Sequence, residues 1–254
     1  MEVLKLEIEG VTASFRYPHF TWGRQPTFLM PPPSTIYGLI SSVLGNFFEP
    51  SSIQFAYRFE YEGKAEDLEH IHAVQSAKGN FLYYGEKYPK NIEGNINPLV
   101  REFLFQPKLT LYIDRVDLYE KFIEPRYNLT LGRSQDLGFL NKIEKIDLKK
   151  SRYVYWEHSL LPWSFRPLTS MGISLMMPRY IDTEKYRKTY FQRYIILQQR
   201  LFSEKNEFNE KMSSDHVLMK INGNQAQYLY DPTAKQINNA FQGVIFHSFI
   251  EKDI

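Results

Sequence analysis

Residues 3–45 read VLKLEIEGVTASFRYPHFTWGRQPTFLMPPPSTIYGLISSVLG, and this stretch decides the fold. Leu4, Leu6 and Ile8 alternate with Lys5, Glu7 and Glu9, the pattern of a half-buried strand over 3–9. The strand continues through Gly10 into residues 11–16. A loop from Tyr17 to Met30 carries His19, Trp22, Gly23 and Arg24. Pro31-Pro32-Pro33 cannot pair in a sheet. Ser34 offers an N-cap, and Ile36, Leu39, Ile40, Val43 and Leu44 follow helical spacing, so a helix is expected over 35–45 with Gly45 near its end. Gly38 inside it costs about 1 kcal/mol relative to Ala and is expected to mark close packing.

Beyond this stretch, Ile53, Phe55, Tyr57, Phe59 and Tyr61 alternate strictly with polar or small residues, the clearest strand of the chain, ended by Gly63. Residues 71–76 read as its neighbour. Residues 77–98, AKGNFLYYGEKYPKNIEGNINP, are punctuated by Gly, Asn and Pro and carry Lys78, Lys87 and Lys90 among tyrosines. So long a structureless loop is unusual in a compact domain, and the segment reads as a projecting hairpin and a contact surface. Strands are expected at 99–105, 108–113 and 128–131, a short helix at 117–123, and a strand pair within 138–156 bearing Lys142, Lys145, Lys149, Lys150 and Arg152. Asp182 or Thr183 is expected to cap a helix over 184–202 with Tyr190, Tyr194, Leu197 and Leu201 as its apolar stripe. Residues 203–215 read as polar and mobile. Short strands are expected at 217–221, 226–230 and 243–250, the first two joined through Asn222-Gly223-Asn224. The whole is an α+β pattern on a mainly antiparallel sheet, compatible with a ferredoxin-like core and a β-rich C-terminal part.

The 254 residues allow one large domain or two small ones. A formal net charge of +2 excludes a strategy in which a large charge excess carries nucleic-acid binding, though not a local basic groove. Nineteen Phe, eighteen Tyr and three Trp suit a β-rich chain and supply stacking platforms for single-stranded nucleic acid. The absence of cysteine removes disulfides, thiolate metal sites and Cys nucleophiles. The acidic N-terminus is no signal peptide, and no apolar run approaches the ~18 residues of a membrane span, so a soluble, cytoplasmic protein is expected. His70 and His72 share a strand face but read as ordinary strand histidines. No metal or cofactor is expected, and no nucleotide-binding or hydrolase motif is present.

The segment GVTASFR at 10–16, followed by a loop and PPPSTIYGLISSVLG at 31–45, resembles the N-terminal signature of the fifth Cas family. These are CRISPR-associated proteins of the RAMP superfamily found in type I Cascade. TLGRSQDLGFL at 130–140 is similar to a second block of that family, with Gln135 in place of the usual acidic residue. The resemblance implies a ferredoxin-like, RRM-related palm over 1–156 with an inserted β-hairpin thumb at about 77–98. Residues 157–254 would be a helix and small antiparallel sheet packed on it. It further implies a subunit that caps the 5′ handle of crRNA, and the missing cleavage set given below favours a non-catalytic one, of the type I-B kind. That subunit contacts the backbone subunit of the seventh Cas family and the large subunit, and meets target DNA only through the complex. One branch of the family cuts precursor crRNA with a Tyr, Lys and His set whose Lys and His are adjacent. No Lys-His pair occurs here, and Arg101 on the corresponding strand is a poor proton-transfer group. The alternative is a metal-independent endoribonuclease using His19 or His72 beside Tyr17 or Tyr37; a further one is a single-stranded RNA-binding module acting alone.

The residues expected to meet RNA are Arg16, His19, Arg24, Ser34 and Tyr37 near the N-terminus, Lys78, Lys87 and Lys90 on the hairpin, Arg101, and Arg133 with Ser134. A guanidinium, a hydroxyl and backbone N–H groups near a glycine can jointly hold a phosphate. The plainer alternatives are that Arg16 pairs with Glu9 or Glu60 and that Arg133 caps a turn.

Overall fold

The computed structural model describes residues 1–20, 22–205, 207, 213–219 and 226–250. Strands of four or more residues are β1 (Glu2–Gly10), β2 (Gln54–Glu60), β3 (Gly63–Ser76), β4 (Asn80–Tyr83), β5 (Glu86–Pro89), β6 (Ile92–Phe105), β7 (Lys108–Ile113), β8 (Gly138–Asp147), β9 (Ser159–Pro162), β10 (Ile173–Asp182), β11 (Lys188–Leu197) and β12 (Tyr228–Asp231). The α-helices are α1 (Pro33–Leu44) and α2 (Tyr119–Ile123). The chain is thus mixed, mostly strands with few helices. Its largest sheet runs β8-β1-β7-β2-β9-β11-β10, with residues 247–248 also pairing with β2. The neighbours β8-β1, β1-β7 and β7-β2 are all antiparallel.

Residues Ile36, Leu39, Ile40 and Val43 of α1 join the main core with Leu4, Leu6 and Ile8 of β1, Leu109, Leu111 and Ile113 of β7, and Phe55, Tyr57 and Phe59 of β2. Removing these apolar side chains from water is the main force that holds helix to sheet. Ser34 does not cap α1. The cap position is Pro32, whose carbonyl accepts the Thr35 and Ile36 N–H groups, and Pro33 opens the helix with a φ already suited to it. Gly45 closes the helix at φ 81°, and Arg126 N–H and Tyr127 N–H donate to the Val43 and Ser42 carbonyls that the helix end leaves open. Gly38, expected to mark close packing, is exposed with nothing within 4 Å of a built Cβ.

β1 is buried on both faces rather than one. Its other face lies under the C-terminal segment: Val3 packs with Ala56, Tyr112 and Val244. Lys5 is 8% exposed, its Nζ 2.9 Å from Asp231 Oδ2 and donating to Thr233 Oγ1 at 3.0 Å. Tyr112 Oη also donates to Asp231, so the buried carboxylate is met from three sides.

The expected helix over 184–202 is absent: β10 and β11 form an antiparallel hairpin there. Tyr190, Phe191, Tyr194, Ile195 and Ile196 are aromatic and β-branched, and the four residues 194–197 are all buried, as in a strand covered on both faces. Asp182 serves the hairpin turn, accepting the N–H groups of Glu184 and Lys185. Residues 128–131 give only an isolated Thr130–Leu137 bridge. Within 138–156, β8 pairs with β1 and residues 149–151 pair with β12. The division expected after residue 156 falls between strand 154–156 and β9, and β9, β11 and β10 extend the large sheet. The Asn222-Gly223-Asn224 turn and much of 203–215 lie outside the described residues.

The projection is larger than the hairpin expected at 77–98. β3 and β6, fourteen residues each, pair in unbroken register from Gly63↔Phe105 to Ser76↔Ile92. At ~3.3 Å per residue that ladder is about 45 Å long. Gly63 begins it rather than ending the previous strand, and residues 71–76 pair with β6, not with β2. The tip is a second hairpin, β4 with β5.

Candidate nucleic-acid interface

The two faces of the β3–β6 ribbon differ, because side chains alternate and directly opposed residues share a face. One face presents the pairs Leu68/Val100, His70/Pro98, His72/Ile96, Val74/Gly94 and Ser76/Ile92; the other presents Asp67/Arg101, Glu69/Leu99, Ile71/Asn97, Ala73/Asn95 and Gln75/Glu93. Leu68, Val74, Ile92 and Ile96 on the first face are each at least 59% exposed. At the tip, Phe81, Leu82, Tyr83, Tyr84 and Tyr88 are exposed beside Lys78, Lys87 and Lys90. This is the combination of cations and open aromatic faces that single-stranded nucleic acid requires.

The ribbon root is tied into the palm by two carboxylates. Glu69 accepts from Arg101 Nε at 2.6 Å and from Arg133 Nη1 at 2.7 Å. Burial works to raise the Glu69 pKa, but the hydrogen bonds and charges of Arg101 and Arg133 outweigh it and hold the carboxyl below its ordinary range. Glu102 is met by Lys64 Nζ and Arg24 Nη2, each at 3.1 Å, and by the Thr27 N–H; here too burial is outweighed and the pKa is lowered. Arg24 also pairs with Glu66. Residues 24–25 pair in parallel with β6, and residues 12–13 pair with its root.

The turn at 131–137 completes the root. Asp136, fully buried, accepts from Arg133 Nε at 2.9 Å, from Arg133 Nη2 at 2.8 Å, from the Arg133 N–H, and from Thr12 Oγ1 at 2.6 Å. Gly132 lies at φ 117°, and a Cβ there would stand 2.1 Å from the Ser14 carbonyl oxygen, so the turn can close on residues 12–14 only without a side chain. Gln135 Nε2 lies 3.4 Å from Glu69 Oε1, where an acidic side chain would meet like charge.

The structure brings Arg24, Arg101 and Arg133 together at the root, each on a carboxylate. Arg133 does close its own turn, and Ser134 is exposed on it. Arg16 is exposed and pairs its backbone with Thr27; Glu9 is met by Lys108 and Glu60 by Arg58. His19 is exposed and stacks on Phe191 at 5.8 Å. Trp22 is 76% exposed beside the Gly23 turn, whose carbonyl accepts the Val100 N–H. Ser34 lies in the first turn of α1. Tyr37 is buried, packs with Phe48, Tyr180 and Phe249, and donates its hydroxyl to the Phe48 carbonyl, so neither joins the root. Sequence reasoning missed Glu69, Glu102, Asp136 and Lys64. Asp136 stands within the 130–140 block, but the carboxylates of the ribbon become meaningful only once the β3–β6 register is known. Among the described residues, no group of three or more His, Asp or Glu side chains could hold a metal ion, and no helix is long and apolar enough to cross a membrane.

Comparison with solved structures places this fold among CRISPR proteins. A chain described as "CRISPR RNA-guided surveillance complex" aligns with a TM-score of 0.50 at 12% identity, over 79% of this chain and 91% of that one. A CRISPR protein from Archaeoglobus fulgidus aligns with a TM-score of 0.44 at 9% identity, over 78% and 87% of the two chains. A chain of the type III-B Cmr-beta complex bound to cognate target RNA gives 0.42 at 13%, over 87% and 99%. No curated protein matches. The family model described as CRISPR-associated protein (Cas_Cas5) matches residues 3–209, and the chain belongs to that family.

Proposed function

We propose that this protein is a non-catalytic subunit of a type I CRISPR surveillance complex, of the type I-B kind, that holds the 5′ handle of crRNA. The observation that carries this reading is the ribbon. A two-stranded ribbon of this length is marginal alone, and its exposed apolar face and basic-aromatic tip fit a segment covered on assembly. The order β1-α1-β2-β7-α2-β8, with β8 and β7 flanking β1 and β2 beside β7, supports the ferredoxin-like palm. Arg16, His19, Ser134 and the tip lysines are the groups we assign to phosphate contact, with Arg24, Arg101 and Arg133 orienting the surface through their carboxylates. The backbone subunit of the seventh Cas family and the large subunit are the proposed protein partners. The non-catalytic assignment is supported by the environment of Tyr17. Its ring stacks on Phe28 at 3.7 Å, and burial, with the Glu102 charge, raises its pKa, which suits packing better than proton transfer.

The test is binding of repeat-derived RNA. Joining Ser76 to Ile92 through Asn-Gly should leave the melting temperature within a few degrees and weaken RNA binding and assembly; unfolding would put the tip in the core. Arg16→Ala and the double variant Lys87→Ala/Lys90→Ala should each weaken binding and flatten its salt dependence. Unchanged affinity in both would move the RNA path elsewhere. Chelator-resistant cleavage of the RNA, lost in His19→Ala or His72→Ala, would establish the nuclease reading instead.

A further inference from the structure

A cleft of about 780 Å³ opens between α1, the 47–50 loop and the β10–β11 hairpin, well within the size range of ligand sites. Phe47, Tyr190 and Phe191 are its exposed aromatic walls. Tyr37 and Tyr180 form the floor, ring centroids 5.0 Å apart at 84°. Tyr37 Oη donates to the Phe48 carbonyl at 2.6 Å, and the Tyr180 hydroxyl is a further polar group of the floor. Glu49 and Glu184 are exposed along its lining, whereas Asp182, with 14% of its side chain exposed, is engaged by Lys185 and the hairpin turn. The two cations that line it are engaged: Lys185 with Asp182 at 3.5 Å, and Arg179 with the Ser248 carbonyl and hydroxyl at 2.9 and 2.8 Å. Lys188 Nζ already lies 5.2 Å from the centre of the Tyr190 ring, so an aromatic wall of this cleft attracts cations within the chain itself.

We propose that this cleft docks an arginine-bearing segment of a partner protein. Its exposed carboxylates, Glu49 and Glu184, are acceptors only, and a guanidinium is a planar, donor-only group that stacks on aromatic rings. The exposed carboxylates of Glu49 and Glu184 repel a phosphate backbone, which argues for a basic protein segment over RNA. This goes beyond the handle-binding reading and does not depend on it, since the groups assigned there to RNA lie outside this lining, His19 meeting it only from behind the Phe191 wall on which it stacks.

The test uses the full chain and a fluorescein-labelled peptide, Gly-Gly-Arg-Gly-Arg-Gly-Arg-Gly-Gly, beside the same peptide with neutral citrulline for arginine. The arginine peptide should bind at least tenfold more tightly than the citrulline one. Glu49→Gln/Glu184→Gln and Tyr190→Ala should each weaken it at least fivefold, with thermal melting and repeat-RNA binding unchanged. Equal binding of the two peptides, or affinity indifferent to both variants, overturns the proposal. So does displacement of the peptide by a ten-nucleotide single-stranded RNA, which would make the cleft a nucleic-acid site. A tenfold gain in peptide affinity on removing residues 251–254 would assign the cleft to the chain's own C-terminal segment and equally defeats it.

Discussion

The guanidinium of Arg133 joins Asp136, three residues along its own turn, to Glu69 on the ribbon sixty-four residues earlier. One side chain thereby fixes a palm turn and a projecting element to each other. The pair is nearly out of solvent, with Asp136 at 0% and Arg133 at 13% side-chain exposure, so removing one partner strands the other charge.

Asp136→Ala should cost about 3–5 kcal/mol in urea unfolding, because Arg133 and the Thr12 hydroxyl both lose their acceptor. Arg133→Lys should not restore the wild type, since an ammonium cannot span both carboxylates with a planar fork. A loss under about 1 kcal/mol for Asp136→Ala would show that the turn is held by its backbone alone.

Two glycines should respond in opposite directions. Gly132→Ala places a Cβ against the Ser14 carbonyl at positive φ and should destabilise by about 3 kcal/mol or more. Gly38→Ala meets nothing in an exposed helix interior and should stabilise by about 0.5–1 kcal/mol. Denaturant midpoints of the two variants measured side by side check both.

The ribbon root should weaken in acid. The carboxyls of Glu69 and Glu102 lie below their ordinary value of 4.5 when folded, so below that pH the unfolded chain binds more protons. Their contribution is complete above about 4.5 and is lost as pH falls through the lowered folded values. Urea midpoints from pH 7 to pH 3 should fall less steeply for Glu69→Gln than for the wild type. Coincident slopes would show that Glu69 contributes nothing to the acid sensitivity.

His247 titrates on a separate window. Burial lowers its pKa from 6.5 to about 4, against the hydrogen bond with the Leu160 carbonyl at 3.0 Å and with help from the Arg179 charge. Between those values only the unfolded chain is protonated. Stability is therefore full above 6.5 and falls, by on the order of 3 kcal/mol, as pH drops to 4. Proton NMR should show a neutral imidazole at pH 5; a charged ring there would contradict the assignment.

Local pattern alone made β1, α1, β2 and β7 legible: strict alternation or helical spacing of apolar side chains, punctuated by Pro and Gly. The family blocks at 10–16, 31–45 and 130–140 were equally legible, and the turn they include holds Asp136. The 184–202 segment misled because Tyr190, Tyr194, Leu197 and Leu201 fit helical spacing while the same run is rich in strand-favouring side chains; pairing with β9 and β10 settled it. Lys5 read as a solvent-facing residue of a half-buried strand because nothing local announces that Asp231, 226 positions on, will cover it.

The sequence by itself determined β1, α1, β2 and β7, the family and the presence of a projecting basic-aromatic segment, since those rest on residues near one another along the chain. The tertiary structure alone decided the ribbon's length and register, the carboxylates that hold its arginines, and the acidic aromatic cleft. Each of these depends on which distant strands pair and on what covers a face, and that is set by the burial of the whole core rather than by any one segment.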